Sequence, residues 1–342
     1  MKTCSLVLFI LCLGFSNLFS QAAGGNKVAG FYVLQDYDYF KTMLADIRRP
    51  AFHMRFYCEE PVKFTHQAAP GKHAYWDVAY GGMFPLAGYN FGGAAQKTSG
   101  VAAFIEASAH MLLDFDTPSF DVINTDFRIG VGVASRLPGA LDNIALRLKG
   151  FHESTHIGDE FILRAMADPA FRRYNVSYEA LEFLAAFDWY VEPPKKFFNF
   201  NCLRLYGGGR YLNKTAFEEF FGLAQSLRTK SKDEWQTGGE FFFKLSSSSN
   251  QGIIRVGDLL KQIITPQHLV LAADFYYRDR YAVLTPEKQW SMNLALGLVY
   301  GNYFERGSTT KLLVNYYNGV NPHGQFRMHQ SRYLGVDFNV DF

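Results

Sequence analysis

Twelve stretches of this chain alternate apolar and polar side chains with a period of two residues, and that repeat excludes most folds at once. The clearest run from Ala74 to Asn90, Val101 to Asp116, Asp126 to Ser135, Asn143 to Ser154, Ser177 to Tyr190 and Phe198 to Leu212. They continue from Gly238 to Leu245, His268 to Arg280, Ser291 to Gly301, Lys311 to Gly319 and Tyr333 to Phe342. A weaker segment, Ala51 to Cys58, precedes them, and breaks containing Gly or Pro separate many of the twelve. Strands must pair along both edges or leave backbone groups open to wrong partners, and an even number can close on itself with both chain ends on the same side.

The next question is which solvent the sheet faces. No stretch of 18 apolar residues follows the first 22 residues, so a membrane-spanning helix is excluded from that part of the sequence. In one segment Ile144, Leu146 and Leu148 share a face, opposite Asn143, Arg147 and Lys149. In the next, Leu181, Phe183, Ala185, Phe187 and Trp189 alternate with Glu182 and Asp188. A soluble sandwich gives the same alternation with the faces reversed, so the pattern alone specifies a sheet. Composition favours lipid: 33 Phe and 20 Tyr against 4 Trp bring the aromatic content to 17%, as expected where aromatic girdles meet headgroups.

The ends of the sequence agree. MKTCSLVLFILCLGFSNLFSQAAGG has one Lys, an apolar run from Leu6 to Phe15 and small residues at Ser20 and Ala22, the layout of a cleaved signal peptide over 1–22. Ile10 and Leu11 before Cys12 argue against lipoprotein processing. The final YLGVDFNVDF puts Leu334, Val336, Phe338, Val340 and Phe342 on one face and resembles the C-terminal signal read by the barrel-assembly machinery. The expected fold is therefore all-β: a closed antiparallel transmembrane barrel of about 12 strands over 51–342, after a periplasmic segment at 23–50. Ten or fourteen strands are also compatible, because the break from Ser246 to Gln267 is long and its VGDLLKQIITPQ reads as a small helix, a candidate periplasmic plug. The expected location is the bacterial outer membrane, with outer-membrane lipids and the barrel-assembly machinery as partners.

A net charge of +2 gives no reason to expect nucleic acid. Cys58 and Cys202 remain after signal cleavage, and their sequence separation leaves pairing open. Arg147, Lys149, Glu182 and Asp188 fall on the polar face as a candidate lumen charge network, which either plugs a barrel or lines a pore.

The stretch Gly150 to Phe161, GFHESTHIGDEF, is the one most able to carry chemistry. Read literally, His152, Glu153 and His156 form the H-E-x-x-H zinc-protease pattern, which needs a helix. The preceding NIALRLKG alternates as a strand, where the two histidines stand ~13 Å apart, so no metal and no cofactor is expected. On a strand, His152 and Ser154 share the lipid face with Leu148, and Glu179 lies at similar height on the neighbouring strand. Ser154 as nucleophile, His152 as base and Glu179 as orienter make a candidate catalytic triad. This resembles outer-membrane phospholipase A and the lipid A deacylases, barrels with a His-x-Ser pair on the outer wall. A bland alternative has His152, Ser154 and His156 bonding to headgroups, with Asp159 and Glu160 in a solvated loop.

Five landmarks together, FKTMLADIRRPAF at Phe40 to Phe52, NTDFRIG at Asn124 to Gly130, HESTHIGDEF at His152 to Phe161, LRLYGGG at Leu203 to Gly209 and NGVNPHGQF at Asn318 to Phe326, resemble the bacterial outer-membrane family called domain of unknown function 1207. Its most specific string corresponds here to His152, Ser154, His156, Gly158, Asp159 and Glu160. Ile47 stands where the family usually has Pro, and Thr155 where it has a second Ser. The resemblance implies an outer-membrane barrel and no particular activity. The leading functional expectation is thus a structural, pore or envelope-maintenance barrel. The alternatives are an outer-leaflet lipid acyl-ester hydrolase and, against the strand register, a zinc protease.

Overall fold

The computed structural model describes residues 29–34, 39–59, 72–92, 98–117, 119–167, 171–195, 199–220, 225–245, 266–301, 303 and 309–341. The expected signal peptide, most of the break from Ser246 to Gln267 and Phe342 lie outside them.

Twelve antiparallel strands form one closed sheet: β2 (Phe52–Glu59), β3 (His73–Gly92), β4 (Ser99–Asp114), β5 (Val122–Arg136), β6 (Ile144–Ile157), β7 (Ser177–Lys195), β8 (Phe200–Leu212), β11 (Asp233–Lys244), β12 (His268–Arg280), β13 (Glu287–Tyr300), β14 (Thr309–Val320) and β15 (Gln330–Asp341). Each pairs with its neighbours in the sheet, and β15 pairs back onto β2 from Gly335↔Tyr57 to Val340↔Phe52, so no edge is left open. All twelve alternating segments became these strands. Three short strands were not foreseen: β1 (Gly30–Val33), which covers the part of β3 beyond the end of β2, and the hairpin β9 (Ala216–Glu218) with β10 (Ser226–Arg228) in the β8–β11 connection.

The alternation divides two environments. Phe127, Ile129, Val131, Leu148, Leu181, Phe183, Val314 and Val336 project outward and are exposed, whereas Arg55, Asp77, Glu106, Arg128, Lys149, Glu153, Glu182 and Asp337 are buried inside. An even-stranded closed sheet with an apolar outer wall and a charged interior satisfies every backbone group without water. The protein is an outer-membrane β-barrel. If the end of β15 is taken as periplasmic, the connections 137–143, 196–199 and 301–308 fall on that side and are short, 245–267 falls there too and is long, and 158–176 and 213–232 fall on the extracellular side.

A segment before the first barrel strand runs into the lumen. Residues 39–51 form a plug whose Tyr39, Phe40, Met43, Leu44, Ile47, Arg48 and Arg49 are all buried. The plug is tied to the wall by Leu44 N–H donating to Glu240 (2.5 Å), Asn293 Nδ2 donating to Ala45 O (2.7 Å), Arg48 pairing with Asp126 (2.9 Å) and Arg49 pairing with Asp337 (3.1 Å). This corrects the expected periplasmic segment at 23–50, of which 39–50 runs inside the barrel. The alternation test reads only strands, and an irregular segment whose arginines meet lumen carboxylates carries no such signal. From the extracellular side, the β14–β15 loop also folds inward: His323, Gln325, Phe326 and Arg327 are buried, and Arg327 pairs with Glu234. The short helix α1 (Asp159–Ala165) packs Phe161 edge-on against Phe326, with ring centroids 6.1 Å apart.

Candidate active site

The outer wall between β5 and β8 holds a polar group at the extracellular end of an apolar surface. In the β6–β7 register His152 faces Glu179 and Ser154 faces Ser177. All four share the outward face, because Leu148 on β6 and Leu181 and Phe183 on β7 occupy the same parity and are exposed. The strand period placed His152, Ser154 and Glu179 on this wall. Within it, His152 Nδ1 lies 3.1 Å from Glu179 Oε1, and their side chains are 42% and 60% accessible, open to whatever surrounds the barrel.

The hydroxyl at the other ring nitrogen is not that of Ser154. Ser177 Oγ lies 3.5 Å from His152 Nε2. A residue two positions along the same strand stands roughly 6.5–7 Å away, while a cross-strand diagonal neighbour brings its side chain back toward the ring. The signal for Ser177 was present: Ser177 and Glu179 form an S-x-E pair on the lipid parity of β7. The sequence contained no comparable signal for Asn213, which follows β8 and whose Nδ2 donates to Glu179 Oε2 while its Oδ1 accepts the Glu179 backbone N–H at 3.1 Å. Glu179 is thereby held on both oxygens, one by the imidazole and one by the amide.

The arrangement Ser177 Oγ, His152 Nε2, His152 Nδ1, Glu179 has the connectivity of a nucleophile, a base and an orienting carboxylate. With Nδ1–H donating to Glu179, Nε2 is left as the acceptor for the serine proton. A 3.5 Å separation is long for a hydrogen bond and typical of a catalytic pair without substrate. Below the group the wall is apolar: Ile129 lies across from His152 and is 60% exposed, Leu181 lies one step further down opposite Gly150, and Leu148 lies two steps down opposite Phe183. Gly150 sits between His152 and Leu148 on this face, and a Cβ there would meet nothing within 4 Å, which leaves a shallow gap beside the group.

The remaining expected site residues fall in three places. Arg147, Lys149 and Glu182 meet in the lumen, with Glu182 3.0 Å from Arg147, 3.3 Å from Lys149 and 2.8 Å from Arg210, while Lys149 also meets Glu106 at 2.5 Å. Asp188 belongs to a separate cluster, with Arg136 at 2.5 Å and Arg204 at 2.7 Å. His156 faces outward with its ring edge-on to Phe127 at 5.7 Å. Gly158 caps α1 at a close approach where a Cβ would lie 1.8 Å from Val122 O, and Asp159 and Glu160 occupy the first turn of α1 rather than a free loop. The zinc-protease geometry is absent: His152 and His156 lie on strand β6, and Glu153 points into the lumen, where it meets Arg128 at 2.5 Å. Cys58 and Cys202 are both free.

Among solved structures, the chain is similar to outer membrane phospholipase A from Escherichia coli (10% identity, 90% of this chain and 95% of that one, TM-score 0.45). It is also similar to the transport unit of the autotransporter AIDA-I from Escherichia coli (13% identity, 88% and 92%, TM-score 0.41) and to the translocator domain of autotransporter NalP from Neisseria meningitidis (10% identity, 100% and 97%, TM-score 0.40). No curated protein sequence matches the chain. Residues 22–225 match the model of the family described as "Protein of unknown function (DUF1207)", and the chain belongs to that family.

Proposed function

We propose that this barrel is an outer-leaflet hydrolase of lipid acyl esters, with Ser177 as nucleophile, His152 as base and Glu179 as the carboxylate that orients it. The observation that carries the reading is Ser177 Oγ 3.5 Å from His152 Nε2, with Glu179 on the opposite ring nitrogen at 3.1 Å, on the lipid side of the wall. A soluble esterase must draw its substrate out of a membrane. A site at the upper border of an apolar wall meets the ester where it already lies, between acyl chain and headgroup.

In the acylation step Ser177 Oγ bonds to the ester carbonyl carbon and its proton passes to His152 Nε2. Collapse of the tetrahedral adduct breaks the bond to the lyso-lipid oxygen, which takes that proton from His152. Water then attacks the acyl-serine with His152 again as base, releasing a fatty acid and restoring the Ser177 hydroxyl. Glu179 stabilises the imidazolium formed in each half, and Asn213 holds the second oxygen of Glu179.

The test is fatty-acid release from phospholipid in mixed micelles by refolded full-length protein. Ser177→Ala and His152→Ala abolish release, and Ser154→Ala retains most of it. Glu179→Gln lowers kcat by on the order of 10⁴-fold if it acts as orienting carboxylates do elsewhere. No release by the intact protein sinks the reading, and loss in Ser154→Ala with retention in Ser177→Ala returns the nucleophile to Ser154. Contact of the outer wall with lipid, and delivery by the barrel-assembly machinery through β15, belong to the same proposal.

A further inference from the structure

A second constellation lies inside the barrel, across the wall from any lipid. His53 on β2, Ala79 on β3 and His110 on β4 form one row of the sheet: His53 pairs with Ala79, and Ala79 pairs with His110. The small side chain between the two imidazoles leaves their rings 5.6 Å apart and tilted by 56°. Asp77, two residues before Ala79 on β3, points into the same space. One ligand atom from each of His53, Asp77 and His110 can be chosen so that all three lie within 4.8 Å of one another.

Their polar atoms have little else to bind. His53 and Asp77 are 0% and 2% exposed and His110 is 1% exposed. Both ring nitrogens of His53, Nε2 of His110 and Oδ1 of Asp77 lack a hydrogen-bond partner among the described residues; the nearest approach is His53 Nε2 to Asp77 Oδ1 at 3.6 Å. Leaving buried polar atoms without partners is costly. The other group with metal-ligand geometry, His73, Asp114 and Asp116, differs on this point. There His73 Nδ1 meets Asp114 at 3.0 Å, and the carboxylates accept the backbone N–H groups of Ala74 and Asp116.

Nearby charge is balanced. Arg55 donates to Oδ2 of Asp77 at 3.1 Å and to Asp337 at 3.1 Å, which engages one oxygen of Asp77 and leaves the other directed at the histidines. Arg48 pairs with Asp126 at 2.9 Å. From the inward-folded β14–β15 loop, His323 Nε2 stands 3.7 Å from Asp77 Oδ2 and its Nδ1 3.7 Å from Asp126.

We infer that His53, Asp77 and His110 form a binding site for a divalent first-row transition metal in the lumen. Two imidazoles and one carboxylate suit such ions and are poor for calcium or magnesium, which take all-oxygen shells. The ion meets one ligand atom from each residue, which partners at most three of the four unpaired atoms because His53 can turn only one ring nitrogen toward it. It also ties β2, β3 and β4 together beneath the inward loop, because Asp77 is the carboxylate that His323 reaches.

The experiment is metal stoichiometry on the refolded full-length protein in detergent, stripped with chelator, then offered Zn²⁺ and dialysed, with Co²⁺ as an optical probe. One equivalent of zinc is expected, together with a visible Co²⁺ absorption of a mixed nitrogen and oxygen site. His53→Ala and His110→Ala should each lose both signals, and His73→Ala should keep them. Folding is checked independently by the heat-dependent shift of the barrel band in electrophoresis, and His110→Gln is the fallback where an alanine variant does not fold. No bound metal in the intact protein, or metal lost in His73→Ala and retained in His53→Ala and His110→Ala, overturns the inference.

Discussion

At the scale of single residues, the lumen works by pairing. Glu153 accepts from Arg128 at 2.5 Å and from the Tyr178 hydroxyl at 2.8 Å, and it lies 3.7 Å from Arg48 of the plug. Removing the carboxylate takes the closest partner from buried Arg128, while Arg48 keeps Asp126 at 2.9 Å, so Glu153→Ala is expected to cost about 3–5 kcal/mol, read as a fall in the urea midpoint of the refolded barrel. Glu153→Gln keeps the shape and a hydrogen-bond acceptor and should cost less; equal loss in both variants would indicate that charge, rather than shape, is what Arg128 requires. Glu153 also illustrates the limit of motif reading. Its place in HESTH suggests catalysis, yet the strand period turns it to the opposite face from both histidines. The same period put His152, Ser154 and Glu179 on the lipid wall. It could not choose between Ser154 and Ser177, because that choice depends on the diagonal between two strands and on side-chain torsions.

At the scale of elements, twelve strands were legible because each is long enough for its alternation to stand out against its neighbours. The plug and the inward loop were not. Residues 39–51 and 321–329 are irregular, and their inward position comes from long-range pairs such as Arg49 with Asp337, Arg48 with Asp126 and Arg327 with Glu234. Such pairs link positions 78 to 288 residues apart and leave no local trace. Their consequence is measurable. The intact protein is expected to show no steady conductance in planar bilayers, while a variant lacking 39–50 should conduct, provided its heat-dependent electrophoretic shift shows a closed barrel. Large conductance from the intact protein would revive the pore expectation.

At the scale of the whole molecule, the barrel separates two chemistries by one thickness of sheet. The serine, histidine and glutamate face outward, and two histidines and an aspartate face the lumen, so each can be altered without touching the other. The wall itself makes a further prediction. Val131 is 62% exposed on the apolar outer surface of β5. Val131→Arg should destabilise the protein folded in lipid vesicles by about 2–4 kcal/mol if this position lies near the midplane. A cost close to zero would place β5 nearer the headgroups and shift the triad's level accordingly.

The plug and the seam of the barrel share one anchor. Arg49 of the plug and Arg55 of β2 both donate to the same oxygen, Oδ2 of Asp337 on β15, each at 3.1 Å. That carboxylate sits on the strand whose pairing with β2 completes the cylinder. One carboxylate therefore serves two joints at once, gripping the plug and bracing the pair of strands that closes the cylinder, so the segment inside and the wall around it are fastened at a single point.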